Sequence, residues 1–165
     1  MKSNSLELFS LKSKVAIVTG ALGLIGKNHC QALADAGANI VVCDLDEEQC
    51  KNFASTLPTK SIGVRVDITQ KSSVENLRDK TIKEFGWIDI LVNNAAINDM
   101  FENPQAAAEQ SMFENYPLEM WQKSLDVNVT GTFLCSQIIG SEMAKAGKGS
   151  IINVASTYGL VGPDQ

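Results

Sequence analysis

Short apolar, β-branched runs alternate along this chain with longer stretches in which apolar residues return at helical spacing. The first run, VAIVT over residues 15–19, is followed at once by Gly20, Gly23 and Gly26. A strand, a tight turn and a helix are therefore expected in succession. In that helix Ile25, Leu33 and Ala36 stand among polar positions, and Gly37 is placed to end it with a positive φ. NIVVCD follows as a second strand. Residues 46–57 carry Cys50, Phe53, Ala54 and Leu57 on one helical face before Pro58 breaks the pattern, and SIGVRVD reads as a third strand. A further amphipathic helix from about Ser72 to Phe85, with Val74, Leu77 and Ile82 inward, is stopped by Gly86, and IDILVNN supplies a fourth strand.

The rhythm breaks over residues 97–116, where Pro104 and a small AAA run predict a loop or partly helical excursion. That excursion lies beyond a strand's carboxyl end, where open α/β sheets place their ligands. Residues 118–145 read as a long helical region with an interruption near Asp126 to Thr130, and Gly147 and Gly149 lead into SIINVA, a fifth strand. Such alternation predicts an α/β fold, a three-layer Rossmann-type domain whose mostly parallel sheet is covered on both faces. With 165 residues and 44% hydrophobic content, the chain accommodates one domain, its core starting at about residue 12, and not a cofactor domain plus a separate substrate domain.

Charge and composition narrow the function classes. Fourteen basic against 19 acidic residues give a net charge of −5 without a basic stripe, which argues against nucleic acid as a partner. No apolar run approaches the ~20 residues that span a bilayer, and the opening MKSNSLELFSLKSK lacks the apolar segment of a signal peptide. A cytoplasmic protein without a membrane partner is expected. Cys30, Cys43, Cys50 and Cys135 have no CxxC spacing, so small buried thiols are expected rather than a zinc site or a disulfide scaffold, and no metal is expected. His29, the only histidine, falls on the first helix and reads as a surface or packing residue.

The glycine turn carries the first chemistry. Residues without side chains let a backbone turn closely around a pyrophosphate, whose charge meets the N-terminus of the following helix. Asp44 lies 18 residues beyond Gly26 at the end of VVCD. A carboxylate there accepts hydrogen bonds from both adenosine ribose hydroxyls and repels a 2′-phosphate, with no Lys or Arg among Leu45, Asp46, Glu47 and Glu48 to offset the repulsion. NAD is favoured over NADP. The structural alternatives are a merely compact turn and an Asp44 that caps the next helix.

Taken together, TGALGLIG at 19–26, Asp44, VDIT at 66–69, NNAA at 93–96, LDVNVTG at 125–131 and IINVAS at 151–156 resemble the first two thirds of a short-chain dehydrogenase/reductase. The resemblance covers nearly the whole chain. It implies diphosphate contacts from Gly20, Leu22, Leu24, Ile25 and Gly26, although the turn departs from the classical TGxxxGxG in having Leu24 at the middle glycine and Gly23 one place earlier. It also implies that Asp67 and Ile68 receive the adenine ring, and that Asn94, Ala95 and Ala96 back the adenosine ribose and stabilise the sheet. Ala96 stands where the family has glycine. Asn128 matches the asparagine whose backbone holds a water of the proton relay, and Ser156 the serine that stabilises developing charge on the substrate oxygen. For Asp67 a strand-end cap, for Asn128 an ordinary helix asparagine and for Ser156 a turn serine remain the plain alternatives.

The family mechanism further needs a YxxxK pair, in which a nearby ammonium lowers a tyrosine pKa from its ordinary value of about 10. By analogy the tyrosine is expected a little past Gln165. Tyr158 has Gly162 and Tyr116 has Met120 where the lysine would stand, so neither substitutes. The resemblance thus implies an NAD-dependent oxidoreductase acting on a secondary alcohol or carbonyl, homo-oligomeric when intact, of which this chain lacks the carboxyl-terminal part and has negligible turnover alone. Loss of that part is expected to expose apolar surface and a strand edge. The alternatives are a non-catalytic nucleotide-binding or regulatory protein and a structural partner. Trp121, Phe133 and Leu134 are expected as an aromatic and aliphatic core stripe of the long helical region, whose outer face pairs across a dimer in many members of the family.

Overall fold

Every residue of the first strand, β1 (Val15–Thr19), is buried, as befits a strand packed on both faces in the middle of a parallel sheet. The computed structural model describes residues 5–98 and 112–160. Most of the expected excursion, with Asp99, Glu102, Pro104 and Glu109, therefore lies outside the described residues. Around β1 stand β2 (Asn39–Asp44), β3 (Ile62–Arg65), β4 (Ile90–Asn93) and β5 (Ser150–Asn153), all parallel, in the order β3-β2-β1-β4-β5. The chain runs outward from β1 to β3 and then jumps back to β4 on the other side of β1. This reversal opens a crevice at the carboxyl ends of β1 and β4.

Side-chain alternation along β1 divides the core into two layers. Val15 and Ile17 join Val41, Val64, Leu77, Leu91 and Ile139 on one face, while Ala16 and Val18 join Ile40, Val42, Cys30, Ala34 and Val92 on the other. The first layer is closed by α3 (Lys71–Phe85) and α5 (Thr132–Lys145), the second by α1 (Leu24–Asp35) and α2 (Glu47–Ala54).

The helices begin and end close to where the pattern predicts. Gly37 (φ 101) follows α1, and Gly86 (φ 89) caps α3 in the left-handed region. Asp46 caps α2 by accepting the Gln49 N–H at 3.0 Å, which disposes of the alternative that Asp44 is the cap. The inner face of α1 differs from expectation. Gly26, Cys30 and Ala34 are its buried residues, whereas Ile25 is 55% exposed. The helix lies so close to the sheet that its contact stripe is built from small residues, and the larger Ile25 is turned toward the crevice.

The long helical region is α4 (Leu118–Leu125), one widened π-type stretch over Asp126–Gly131, and α5. The expected interruption is thus a widened turn, not a break. Trp121 (54%) and Phe133 (57%) are exposed, so the core-stripe expectation fails for both; Leu134 packs against the core. Cover on both faces also ends before β5, whose four residues are all exposed.

At the amino end of the sheet Asp89, 6% exposed, accepts from Val15 N (3.0 Å) and from Lys14 Nζ (3.2 Å) and pairs with Lys148 Nζ (3.6 Å). At the other end the Asn93 Nδ2 donates to Ser136 Oγ (2.9 Å) and Asn153 Oδ1 (2.8 Å), joining β4, β5 and α5. All four cysteines are buried and free. Burial pushes the thiols of Cys30 and Cys135 up to about 12 and that of Cys50 up to about 11, and raises Cys43 well above its ordinary value.

Candidate cofactor site

The turn after β1 is shaped by two glycines for two reasons. Gly20 has φ +62, and a Cβ there would stand 2.7 Å from the Ala95 Cα. A Cβ on Gly26 would run into the Gly20 carbonyl oxygen, so only glycine lets the first turn of α1 fold back on the loop. Gly23 is the N-cap of α1, with φ −68 and no side chain to satisfy the helix. The N–H groups of Leu24, Ile25 and Gly26, ahead of the first intrahelical bond from Lys27 N to the Gly23 carbonyl (3.0 Å), carry the positive end of the α1 dipole toward the crevice.

Opposite this turn, the Asp44 carboxylate at the end of β2 accepts from Leu22 N (3.0 Å, Oδ2) and Leu45 N (2.8 Å, Oδ1). One bond per oxygen leaves each with lone-pair capacity for a further donor. The carboxylate also holds the glycine turn against β2.

Thr19 ties the floor together. Its hydroxyl accepts from Asn94 N and Ala95 N, both at 3.1 Å, and lies 3.3 Å from Val92 O, while Asn94 Nδ2 donates to Thr19 O (2.9 Å) and Gly20 O (3.0 Å). The carboxyl ends of β1 and β4 are thereby knotted. Asp67, in the loop leaving β3, accepts from Thr69 N (3.0 Å) and Thr69 Oγ1 (2.7 Å) through Oδ1, and its own N–H donates to Ser73 Oγ (3.0 Å). Asp67 is therefore both a turn cap and a wall residue.

These elements enclose a cleft of about 970 Å³. Gly20, Leu22, Leu24, Ile25, Gly26, Asp44, Asp67, Ile68, Asn94, Ala95 and Ala96, the positions singled out by sequence, all line it. Asn128 and Ser156 are not among its described walls. Asn128 lies in the π-type stretch, where its amide clamps the Ile97 backbone: Oδ1 accepts from Ile97 N (2.9 Å) and Nδ2 donates to Ile97 O (3.1 Å). Its carbonyl accepts from the Thr132 hydroxyl at 3.0 Å. Ser156 follows β5, exposed, with its carbonyl accepting from Gly159 N (3.0 Å).

Sequence reasoning missed Thr19 as the floor's knot, together with Lys123 and Val127, which α4 and the π-type stretch bring to the cleft wall. Thr19 carries a weak signal, since it precedes the turn glycine. Lys123 carries none, because its place depends on how a helix remote in sequence packs over the loop after β3.

Residues 14–165 match the family model for short chain dehydrogenase. An NAD-dependent glycerol dehydrogenase of Listeria innocua is 35% identical over 157 residues, covering 95% of this chain and 58% of its own length. A D-threitol dehydrogenase of Mycolicibacterium smegmatis is 37% identical over 160 residues (95% and 58%). A 3-alpha-(or 20-beta)-hydroxysteroid dehydrogenase of Mycobacterium tuberculosis is 36% identical over 152 residues (92% and 55%). The chain spans little more than half the length of these relatives. Extending over nearly all its residues, the match confirms the expected resemblance: this chain belongs to the short-chain dehydrogenase family.

Proposed function

We propose that the cleft holds NAD, and that this chain is the cofactor-binding portion of an oxidoreductase acting between a secondary alcohol and its carbonyl. The observation that carries the reading is the opposition of Asp44 to the uncapped start of α1 across a glycine turn. The walls suit the parts of such a dinucleotide. Backbone N–H groups at the start of α1, with Gly20, Leu22, Leu24, Ile25 and Gly26 around them, hold the diphosphate. Asp44 accepts from the ribose hydroxyls, Asp67 and Ile68 take the adenine, and Asn94, Ala95 and Ala96 form the floor beneath the sugar.

The bound nicotinamide supplies a hydride donor or acceptor. Ser156 donates its hydroxyl to the substrate oxygen as charge develops there. Asn128 offers its backbone carbonyl to a relay water, while its side chain fixes the Ile97 loop. Neither tyrosine of the chain has a lysine four positions on, since residue 120 is Met120 and residue 162 is Gly162. We therefore assign neither tyrosine a proton-transfer role. The dehydrogenase reading is supported by the family and by the NAD dependence named for the Listeria relative. We further place the protein in the cytoplasm, with a small alcohol or carbonyl as substrate and a homo-oligomeric whole molecule; among the described residues no helix is long and apolar enough to cross a membrane.

Calorimetric titration of the chain with NAD and NADP tests the cofactor. NAD is expected to bind at least about ten-fold more tightly, and Asp44→Asn to erase most of that preference, because a charge-assisted hydrogen bond contributes roughly 1.5–3 kcal/mol. Equal or tighter binding of NADP to the unaltered chain would overturn the assignment.

A further inference from the structure

A cation that the sequence around Asp44 lacks arrives from the next strand. β2 and β3 pair in a register that sets Asp44 beside Arg65, and Val66 N donates to Asp44 O at 2.8 Å just beyond. The exposed Arg65 side chain turns toward β2, where its Nε donates to the Leu45 carbonyl at 3.2 Å. Leu45 in turn donates its N–H to Asp44 Oδ1 at 2.8 Å. One residue therefore links a guanidinium to the carboxylate that faces the glycine turn. The field of that guanidinium also reaches the start of α2. There the Glu47 carboxyl is held below the usual carboxylate range by its hydrogen bond with Lys51, then by the charges of Lys51 and Lys80, and in smaller part by Arg65. Glu47 pairs with Lys51 (2.9 Å) and Lys80 (3.9 Å), whereas no carboxylate bridges Arg65 among the described residues.

We infer that Arg65 is a binding residue for a 2′-phosphate, which makes NADP a second, weaker ligand of the cleft; this rests on the nucleotide reading above. Leu45 belongs to the cleft wall and Arg65 does not, so the guanidinium stands at the rim, just past Asp44. In a nucleotide the 2′ carbon adjoins the carbon that bears the base, while the diphosphate leaves from the opposite end of the ribose. With the diphosphate at α1 and the base at the loop after β3, the 2′ oxygen is the one on the β3 side, to which Arg65 belongs. Only Nε is engaged by the protein, and the four N–H groups of the two terminal nitrogens keep the planar fork that suits phosphate oxygens. Asp44 repels the same phosphate. The opposed pair sets both the order of the two cofactors and the size of the gap: Asp44 places NAD first, and Arg65 limits how far NADP falls behind.

The test is calorimetric titration, at low salt, of the full chain and of its Arg65→Met and Arg65→Lys variants with NAD, NADP, 5′-AMP and 2′-AMP, repeated in an Asp44→Asn background. Arg65→Met is expected to weaken NADP and 2′-AMP about five-fold, the scale of a well-formed exposed ion pair, and to leave NAD and 5′-AMP unchanged. Arg65→Lys should recover part of the loss, and the same loss should appear when Asp44 is Asn, where NADP binds more tightly. An Arg65→Met variant that weakens NADP no more than NAD in both backgrounds would overturn the assignment. So would an equal loss for all four ligands, which would make Arg65 a support for the Asp44–Leu45 corner only, or displacement of 2′-AMP by an equal concentration of inorganic phosphate, which would mark a site for free anions. If neither background binds any of the four, the nucleotide reading itself fails; normal NAD binding with an indifferent Arg65→Met sinks only the role of Arg65.

Discussion

A single hydroxyl fixes much of the floor of the cleft. Thr19 is 1% exposed, and its Oγ1 is the acceptor for two consecutive backbone N–H groups of the Asn94–Ala95 loop. Thr19→Val keeps the shape and β-branching of the side chain but leaves both donors without that partner. A loss of about 1–3 kcal/mol in a denaturant melt is expected, along with weaker NAD binding because Ala95 is free to shift. Asp46 offers a residue-scale prediction with a pH sign. The Gln49 N–H, its largest influence, and then the Gln49 side chain hold the Asp46 carboxyl below the usual carboxylate range. A depressed folded-state pKa stabilises above the unfolded value, near 3.9, and that stabilisation is lost as pH falls through the folded one. Asp46→Asn should therefore flatten the acid side of the melting profile while changing little near neutrality relative to the loss seen with Asp46→Ala.

At the scale of elements, close backbone approach decides which substitutions the fold tolerates. In β3 a Cβ on Gly63 would run into the Lys51 backbone nitrogen, so α2 lies directly on that strand. Gly63→Ala should push the two apart and lower stability by about 1–3 kcal/mol or more, read as a fall in melting temperature. Small-residue contacts of this kind also mark the limit of what sequence conveys. The strands, the glycine turn and Asp44 are legible because β-branched runs, glycines and a strand-end acid are strong local signals. The inner face of α1 is not, because Gly26, Cys30 and Ala34 carry little hydrophobic weight, and periodicity follows the bulkier Ile25 outward. Trp121 and Phe133 mislead in the opposite sense: aromatic residues on a helix suggest core, and only the packing of α4 and α5 shows them exposed. Lys123 was illegible because a cleft wall assembled from distant segments leaves no spacing to read.

The molecule as a whole separates holding from binding. Asp89 joins β1 to Lys14 and Lys148 at the amino end of the sheet, whereas the cleft opens at the carboxyl ends. Asp89→Ala should cost about 1–3 kcal/mol by stranding the Val15 N–H, yet leave the NAD affinity of the folded fraction unchanged in the same titration. At the edge of the sheet, Ile151 (40%) and Ile152 (46%) on β5 are exposed near Phe133-bearing α5. The 165-residue chain should bind an apolar dye in its native state, and absence of dye fluorescence would count against that exposure persisting in solution. The cysteines divide between the two core layers: Cys43 and Cys135 lie in the one closed by α3 and α5, Cys30 and Cys50 in the one closed by α1 and α2. Since burial keeps all four protonated at neutral pH, an alkylating reagent can react only when a layer opens. Mass-resolved labelling would then act as a two-channel clock of native-state breathing, with the pair modified first naming the helical layer that lifts from the sheet most often.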